Sequence, residues 1–172
     1  MERVHHRSLV HEARENLQLE LAANRKRLQG DVQNIVEAKS QMGKNLEVLR
    51  ERRDKPGSHG SALFALRWNN LSDAAWRTAR DTGALGYMAQ TDVRDLAGLY
   101  AMQQEVEQLA SNLLLAQARA AAPLLIEQDK PSVAQINEAL SRTADDLTQL
   151  DVLGQVLEQL AREYEQAARS SH

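Results

Sequence analysis

The chain has 172 residues, with 21 Lys and Arg against 24 Asp and Glu, a net charge of −3 and no cysteine. That balance gives no global field favouring nucleic acid, and the missing thiols exclude disulfides, thiolate catalysis and Cys-ligated metal. Apolar residues make up 42% of the chain but include only two Trp, three Tyr and one Phe, so the core must be built from Leu and Ala, both strong helix formers.

The first element expected is one long helix over about 3–53. Leu21, Leu28, Ile35, Met42 and Leu49 fall seven apart, and Leu17, Asn24, Ala38 and Asn45 supply the other half of a three-four spacing. Such a stripe asks for a partner helix to cover it. Gly30 and Gly43 lie within it without breaking its phase. At 1.5 Å per residue, about 50 residues span roughly 75 Å, which implies an elongated rod or an oligomer. Asn24 is a polar residue on the apolar row. It either fixes register or partner number, as polar residues at such positions do, or points to the edge of the seam. The run Arg25-Lys26-Arg27 reads as a solvated face, since no aromatic interleaves with it.

A loop follows over 54–61, carrying Pro56-Gly57-Ser58-His59-Gly60-Ser61. Short helices are expected over 62–83, with Ser72 as an N-cap, Leu71 and Trp76 at staple spacing, and Gly83 at the left-handed C-terminal position. Thr91 reads as the next N-cap, opening a long helix over about 92–127. Its apolar row is Leu99, Met102, Val106, Leu109, Leu113, Ala116 and Ala120. Pro123 should kink or end it. The last helix, about 133–169, starts from a capping box of Ser132 and Gln135. Its row is Leu140, Thr143, Leu147, Leu150, Gly154, Leu157, Ala161, Tyr164 and Ala168, and Gly154 permits close approach of a neighbour. Residues 1–55 hold twelve Lys/Arg against nine Asp/Glu, and residues 132–172 three Arg against seven Asp/Glu. The first and last helices are therefore electrostatically complementary.

The fold class expected is all-α. It is an elongated antiparallel helical bundle of three long helices plus one or two short ones, with coiled-coil-like packing, in a single domain over 1–172. No stretch approaches the roughly 20 apolar residues that span a bilayer, and the polar N-terminus does not read as a signal peptide.

Chemistry is harder to find. His5, His6 and His11 are close together, but Glu2-x-x-His5 is one Glu-x-x-His spacing where di-iron bundles need two. No metal site and no cofactor are expected. Asp145-Asp146 reads as a solvated pair, because adjacent helical residues point about 100° apart. His59-Gly60-Ser61 has no evident acid partner, and no nucleophile elbow or phosphate loop is present. No catalytic residues are expected. Trp68, Trp76, Tyr87 and Tyr100, with Phe64, concentrate the aromatics. They either cap the core or line a small-molecule pocket. Leu21, Asn24, Leu28 and Ile35 form the candidate interaction face.

The stretches Glu20-Leu21-x-x-Asn24-Arg25-x-x-Leu28 and Ser72-Asp73-x-x-Trp76-x-x-Ala79-x-x-Thr82-Gly83-Ala84-Leu85 carry a resemblance. They are similar to a group of uncharacterised bacterial proteins with one N-terminal membrane helix and an extracytoplasmic all-helical domain. The resemblance implies an architecture and a location, the extracytoplasmic side of the inner membrane, but no reaction. Membrane contact would come only through a segment that this chain does not include. The expected function is a non-enzymatic interaction or scaffolding domain, a homodimer with a possible envelope protein partner. The alternatives are a small-molecule sensing domain and a cytoplasmic location.

Overall fold

A computed structural model describes residues 2–55, 57–58, 60–126 and 131–170. Four α-helices follow one another: α1 (Glu2–Asp54), α2 (Ala74–Asp81), α3 (Gln90–Ile126) and α4 (Val133–Ser170), with a 3-10 turn at Ala84–Tyr87. No strand occurs among the described residues, and the chain is an all-α helical bundle. The three long helices lie where the apolar rows place them. Pro123 is accommodated inside α3, three residues before its end.

The chain divides into two compact units, where the sequence suggests one domain. The first comprises residues 1–30, 69–107 and 157–172, the second residues 31–68 and 108–156. The core of the first is Leu17, Leu21, Leu28, Leu99, Val106, Leu157, Leu160 and Tyr164, all buried. In the second, Leu49 packs on Ile136 and Ala139, with Ala62, Leu124 and Leu140 against them. Gly154 passes Ile35 so closely that an added Cβ would stand 3.3 Å from its Cγ2. In the same unit Lys39 pairs with Asp151, the charge complementarity expected of the first and last helices.

The row on α1 is buried as the spacing demands, and it also takes in Asp31. On α3 and α4 the stripes are shifted at every second position. The buried stripe runs through Leu99, Gln103, Val106, Ala110, Leu113, Gln117 and Ala120 on α3, with Tyr100 and Pro123 also buried, and through Ile136, Ala139, Thr143, Asp146, Leu150, Leu153, Leu157, Leu160 and Tyr164 on α4. Met102 and Leu147 sit at the edges, and Leu109 is 37% exposed. Asp146 is therefore not half of a solvated pair. It lies three residues after Thr143 and four before Leu150, inside the buried stripe.

The short helices expected over 62–83 shrink to α2 alone, and the 3-10 turn follows at Ala84–Tyr87. Residues 60–73 carry no helix. In the second unit, residues 61–68 run with alternating exposure: Ala62, Phe64, Leu66 and Trp68 half-buried, Ser61, Leu63, Ala65 and Arg67 exposed. The cause is a competing partner for the backbone. The Asn45 amide donates to the Leu63 carbonyl at 2.8 Å and accepts the Leu63 N–H at 2.9 Å. Groups held this way cannot join a helical ladder. α2 closes as expected: Thr82 is its C-cap and Gly83 adopts φ +76°. The Ser132–Gln135 capping box forms in both directions, at 2.7 and 3.3 Å. Thr91 falls just inside α3 rather than before it, and its hydroxyl turns to Asp92.

Candidate functional site

The first unit holds a buried polar cluster built around Ser72. The Asn24 amide donates to the Ser72 carbonyl at 2.7 Å and accepts the Ser72 N–H at 2.8 Å. It also donates to the Tyr164 hydroxyl at 3.1 Å, which in turn donates to Gln103 Oε1. Gln103 Nε2 reaches the same Ser72 carbonyl at 3.2 Å. Asn24 of α1 and Gln103 of α3 thus converge on the Ser72 backbone, and Tyr164 of α4 ties the two together. The second unit repeats the double pairing of amide and backbone at Asn45 and Leu63, and Asn45 follows Asn24 by three heptads in sequence.

Glu20 lies beside this cluster. Its Oε2 accepts the Ser72 hydroxyl at 2.6 Å and the Ala75 N–H at 2.9 Å. Its Oε1 accepts the Tyr100 hydroxyl at 2.8 Å and the Trp76 N–H at 3.4 Å. Ala75 and Trp76 supply two of the orphan donors that open α2. Ser72, the expected cap, precedes the N-cap Asp73, whose side chain makes no capping bond. A carboxylate from another helix does the capping instead, where negative charge also suits the helix dipole. Burial works to raise the Glu20 pKa, but the bonds from Ser72, Ala75, Tyr100 and Trp76 outweigh it and hold the group below its ordinary value. Burial pushes both phenols up, Tyr100 further through Glu20 and Tyr164 despite its bond from Asn24. They stay protonated donors.

Of the four aromatics considered for a pocket, Trp76 and Tyr100 stack at 5.2 Å between ring centres. Tyr87 stacks instead on His6, at 4.1 Å. Trp68 belongs to the other unit. Within the first unit the aromatics thus form two stacks, Trp76 on Tyr100 and Tyr87 on His6. The row expected as an interaction face, Leu21, Asn24, Leu28 and Ile35, is at most 6% exposed. The chain's own helices cover it, because α3 and α4 carry matching stripes within each unit. Among the described residues no three His, Asp or Glu side chains are grouped as metal ligands would be. The side chains of Glu2 and His5, and all of His59, lie outside the described residues.

The cavity that the first unit does form is a half-open groove of about 760 Å³. Leu17, Leu21 and Leu99 make its floor, Met88, Leu96 and Met102 its walls, and Arg14, Asp92, Arg94, Asp95 and Glu163 its rim. Arg14 and Asp92 form an ion pair at 3.3 Å, both half exposed. Sequence reasoning missed this groove: of its floor residues it named only Leu21 for an interaction face, while Leu17 and Leu99 read as core.

No family model matches the chain, and no curated protein or solved structure shows significant similarity to it. The geometry stands by itself. Of this polar cluster, Asn24 and Ser72, with Glu20 beside them, fall in the two stretches that carry the resemblance, whereas Gln103 and Tyr164 do not.

Proposed function

We propose that the chain is a non-enzymatic helical domain acting by contact with another protein, as the soluble part of a membrane-tethered envelope protein. The observation that carries this reading is the groove of the first unit, an apolar floor under a charged rim. Partner surfaces have this anatomy, an apolar centre within polar edges. The two methionines in its walls suit a surface that adapts to what it binds. The polar cluster nearby supports a non-catalytic role, because Glu20, Asn24, Gln103 and Tyr164 are all engaged in holding backbone or one another. The location, on the extracytoplasmic side of the inner membrane rather than in the cytoplasm, rests on the resemblance. The partner is a second copy of this chain or another envelope protein.

A photo-crosslinking residue placed at Met102, in cells expressing the whole protein, tests this. An adduct at twice the chain mass identifies a homodimer, and another discrete adduct a different partner. The absence of any discrete adduct overturns the reading.

The groove volume favours a second reading, since small-molecule sites run about 300–1,000 Å³. That sensing role moves from the aromatic cluster to the groove. Gly98 lines the groove, and a Cβ added there meets nothing within 4 Å. Gly98→Phe should fill the groove without disturbing the fold. A small molecule that raises Tm in the parent chain and not in Gly98→Phe supports sensing. Equal shifts in both refute it.

A further inference from the structure

The first unit has a second pocket, of about 330 Å³, lined by His6, Arg7, Val10, His11, Arg14 and Tyr87. Nothing above uses it. Arg7, His11 and Arg14 are spaced four and three apart on α1, so they share one face of the helix. Tyr87, from the 3-10 turn, closes the other side, stacked on His6 with the rings 19° from parallel. Among the described residues the lining thus holds two guanidinium groups, two imidazoles and no carboxylate.

Acidic groups do reach two of these side chains from outside. Asp92 pairs with Arg14 at 3.3 Å, and Glu15 with His11 at 3.4 Å. Both pairs are strongly exposed, with side chains 48–76% accessible. Exposed pairs of this kind contribute at most about 1 kcal/mol each. An incoming dianion can therefore displace them cheaply. Arg7 takes part in no ion pair among the described residues.

We infer that this pocket binds a phosphomonoester, with Arg7 and Arg14 as the primary holders of its phosphate. The guanidinium fork matches phosphate oxygens two at a time, and phosphate has oxygens enough for both arginines and an imidazole N–H. A metal cation is disfavoured by the two arginines. The volume leaves room for a small organic group beside the phosphate, against Val10 and Tyr87. The same headgroup chemistry occurs in soluble phosphomonoesters and in phosphatidic acid, and the experiment separates the two.

The whole chain is titrated at fixed pH and ionic strength with inorganic phosphate and with phenyl phosphate, while NMR follows the His6, His11 and Tyr87 ring signals. Saturable shifts are expected, absent with chloride. Arg7→Glu should weaken binding by about ten-fold or more, the loss of one charge-assisted bidentate contact. This variant leaves the Arg14–Asp92 pair intact and alters an exposed position, so the fold is kept. Arg14→Gln should weaken binding independently. In parallel, sedimentation with phosphatidylcholine vesicles, with and without phosphatidic acid, is run on parent and Arg7→Glu. Saturable binding of the soluble phosphates alone assigns a soluble ligand. Sedimentation that depends on both phosphatidic acid and Arg7 assigns the lipid headgroup. Shifts that stay linear, or equal those of chloride, with no Arg7-dependent sedimentation, overturn the proposal.

Discussion

The side-chain amide of Asn24 pairs with both backbone polar groups of Ser72, taking the N–H at 2.8 Å and giving to the C=O at 2.7 Å. A polar residue in a heptad row ordinarily suggests a register device between chains, and replacing it with Leu then raises stability. The pairing predicts the reverse. Asn24→Leu leaves the Ser72 N–H without its partner and the Tyr164 hydroxyl without its donor. It should cost about 2–4 kcal/mol, one buried unsatisfied group or two at roughly 1–3 kcal/mol each. Urea unfolding of the variant measures this. A gain in stability would return Asn24 to the role of a seam residue.

Glu20 and α2 stand in a similar relation. Glu20→Gln keeps one acceptor oxygen but sets an NH2 group against donors that now share a carboxylate. The expected loss is about 1–3 kcal/mol, as for hydrogen bonds to a charged group. It should appear first as fraying of α2, seen by hydrogen exchange at Ala75 and Trp76. The pH dependence has a definite sign. The folded pKa lies below the ordinary 4.5, so the unfolded state binds the proton more readily. The contribution of Glu20 is complete above about 4.5 and is lost as pH falls through the lower folded value. In Glu20→Gln that part of the acid destabilisation should vanish. An unchanged acid limb would mean that the carboxylate charge adds nothing.

The long helices were legible because Leu28, Ile35, Met42 and Leu49 repeat without a slip and no proline precedes Pro56. The strap at 60–73 was not. Leu63 is apolar yet 60% exposed, and with Ala65 it puts apolar residues on both sides of the segment. The period of two is hidden, and Ala62–Trp68 looks like a short apolar helix. What holds the strap is Asn45 at Leu63, eighteen residues earlier, and Asn24 at Ser72, forty-eight residues earlier, and no local pattern reports those pairings. The stripes on α3 and α4 were misplaced at alternate positions for one reason. A search for apolar residues selects Met102, Leu109 and Leu147, whereas the fold buries Gln103, Ala110 and Asp146. In the first unit Gln103 is buried because Ser72 and Tyr164 supply its partners, and those come from other parts of the chain. Nothing in the helical pattern marked Glu20 as a cap: although it heads a stretch that carries the resemblance, beside Leu21 it reads as an ordinary helix-surface carboxylate.

Three glycines separate backbone cost from packing. Gly43 in α1 and Gly98 in α3 have open space where a Cβ would go. Ala at either should stabilise by about 1 kcal/mol, the usual helix-interior difference. Gly154 faces Ile35 Cγ2 at 3.3 Å, so Gly154→Ala gains the same propensity but must push Ile35 aside. It should fall at least 1 kcal/mol short of Gly43→Ala, overpacking costs being about 1–3 kcal/mol. Thermal unfolding of the three variants checks the order. Equal gains at all three would show that α1 and α4 do not pack closely at Gly154.

Asp146 gives the opposite pH signature from Glu20. It is 2% exposed, and its Oδ2 has no hydrogen-bond partner among the described residues. Burial, with a smaller push from the neighbouring charge of Asp145, raises its pKa from the ordinary 3.8 to about 6. Between those two values the folded state holds the proton and the unfolded state releases it, so stability falls as pH rises through that window. Above about 6 the chain carries a buried, poorly solvated carboxylate. Asp146→Asn removes the charge while keeping the shape. At pH 7.5 it should stabilise the protein on the order of 1–3 kcal/mol, the worth of a shift of this size at about 1.4 kcal/mol per pH unit. At pH 4, where the parent Asp146 is already protonated in the folded state, the advantage should shrink towards zero. Urea unfolding of parent and variant at the two pH values is the measurement. A stability difference that is the same at both would mean that Asp146 is held as readily charged as neutral. The two carboxylates pull in opposite directions, Glu20 contributing fully only above about 4.5 and Asp146 costing stability as pH rises from 3.8, so together they place the optimum at or just below about pH 4.5, with Asp146 protonated.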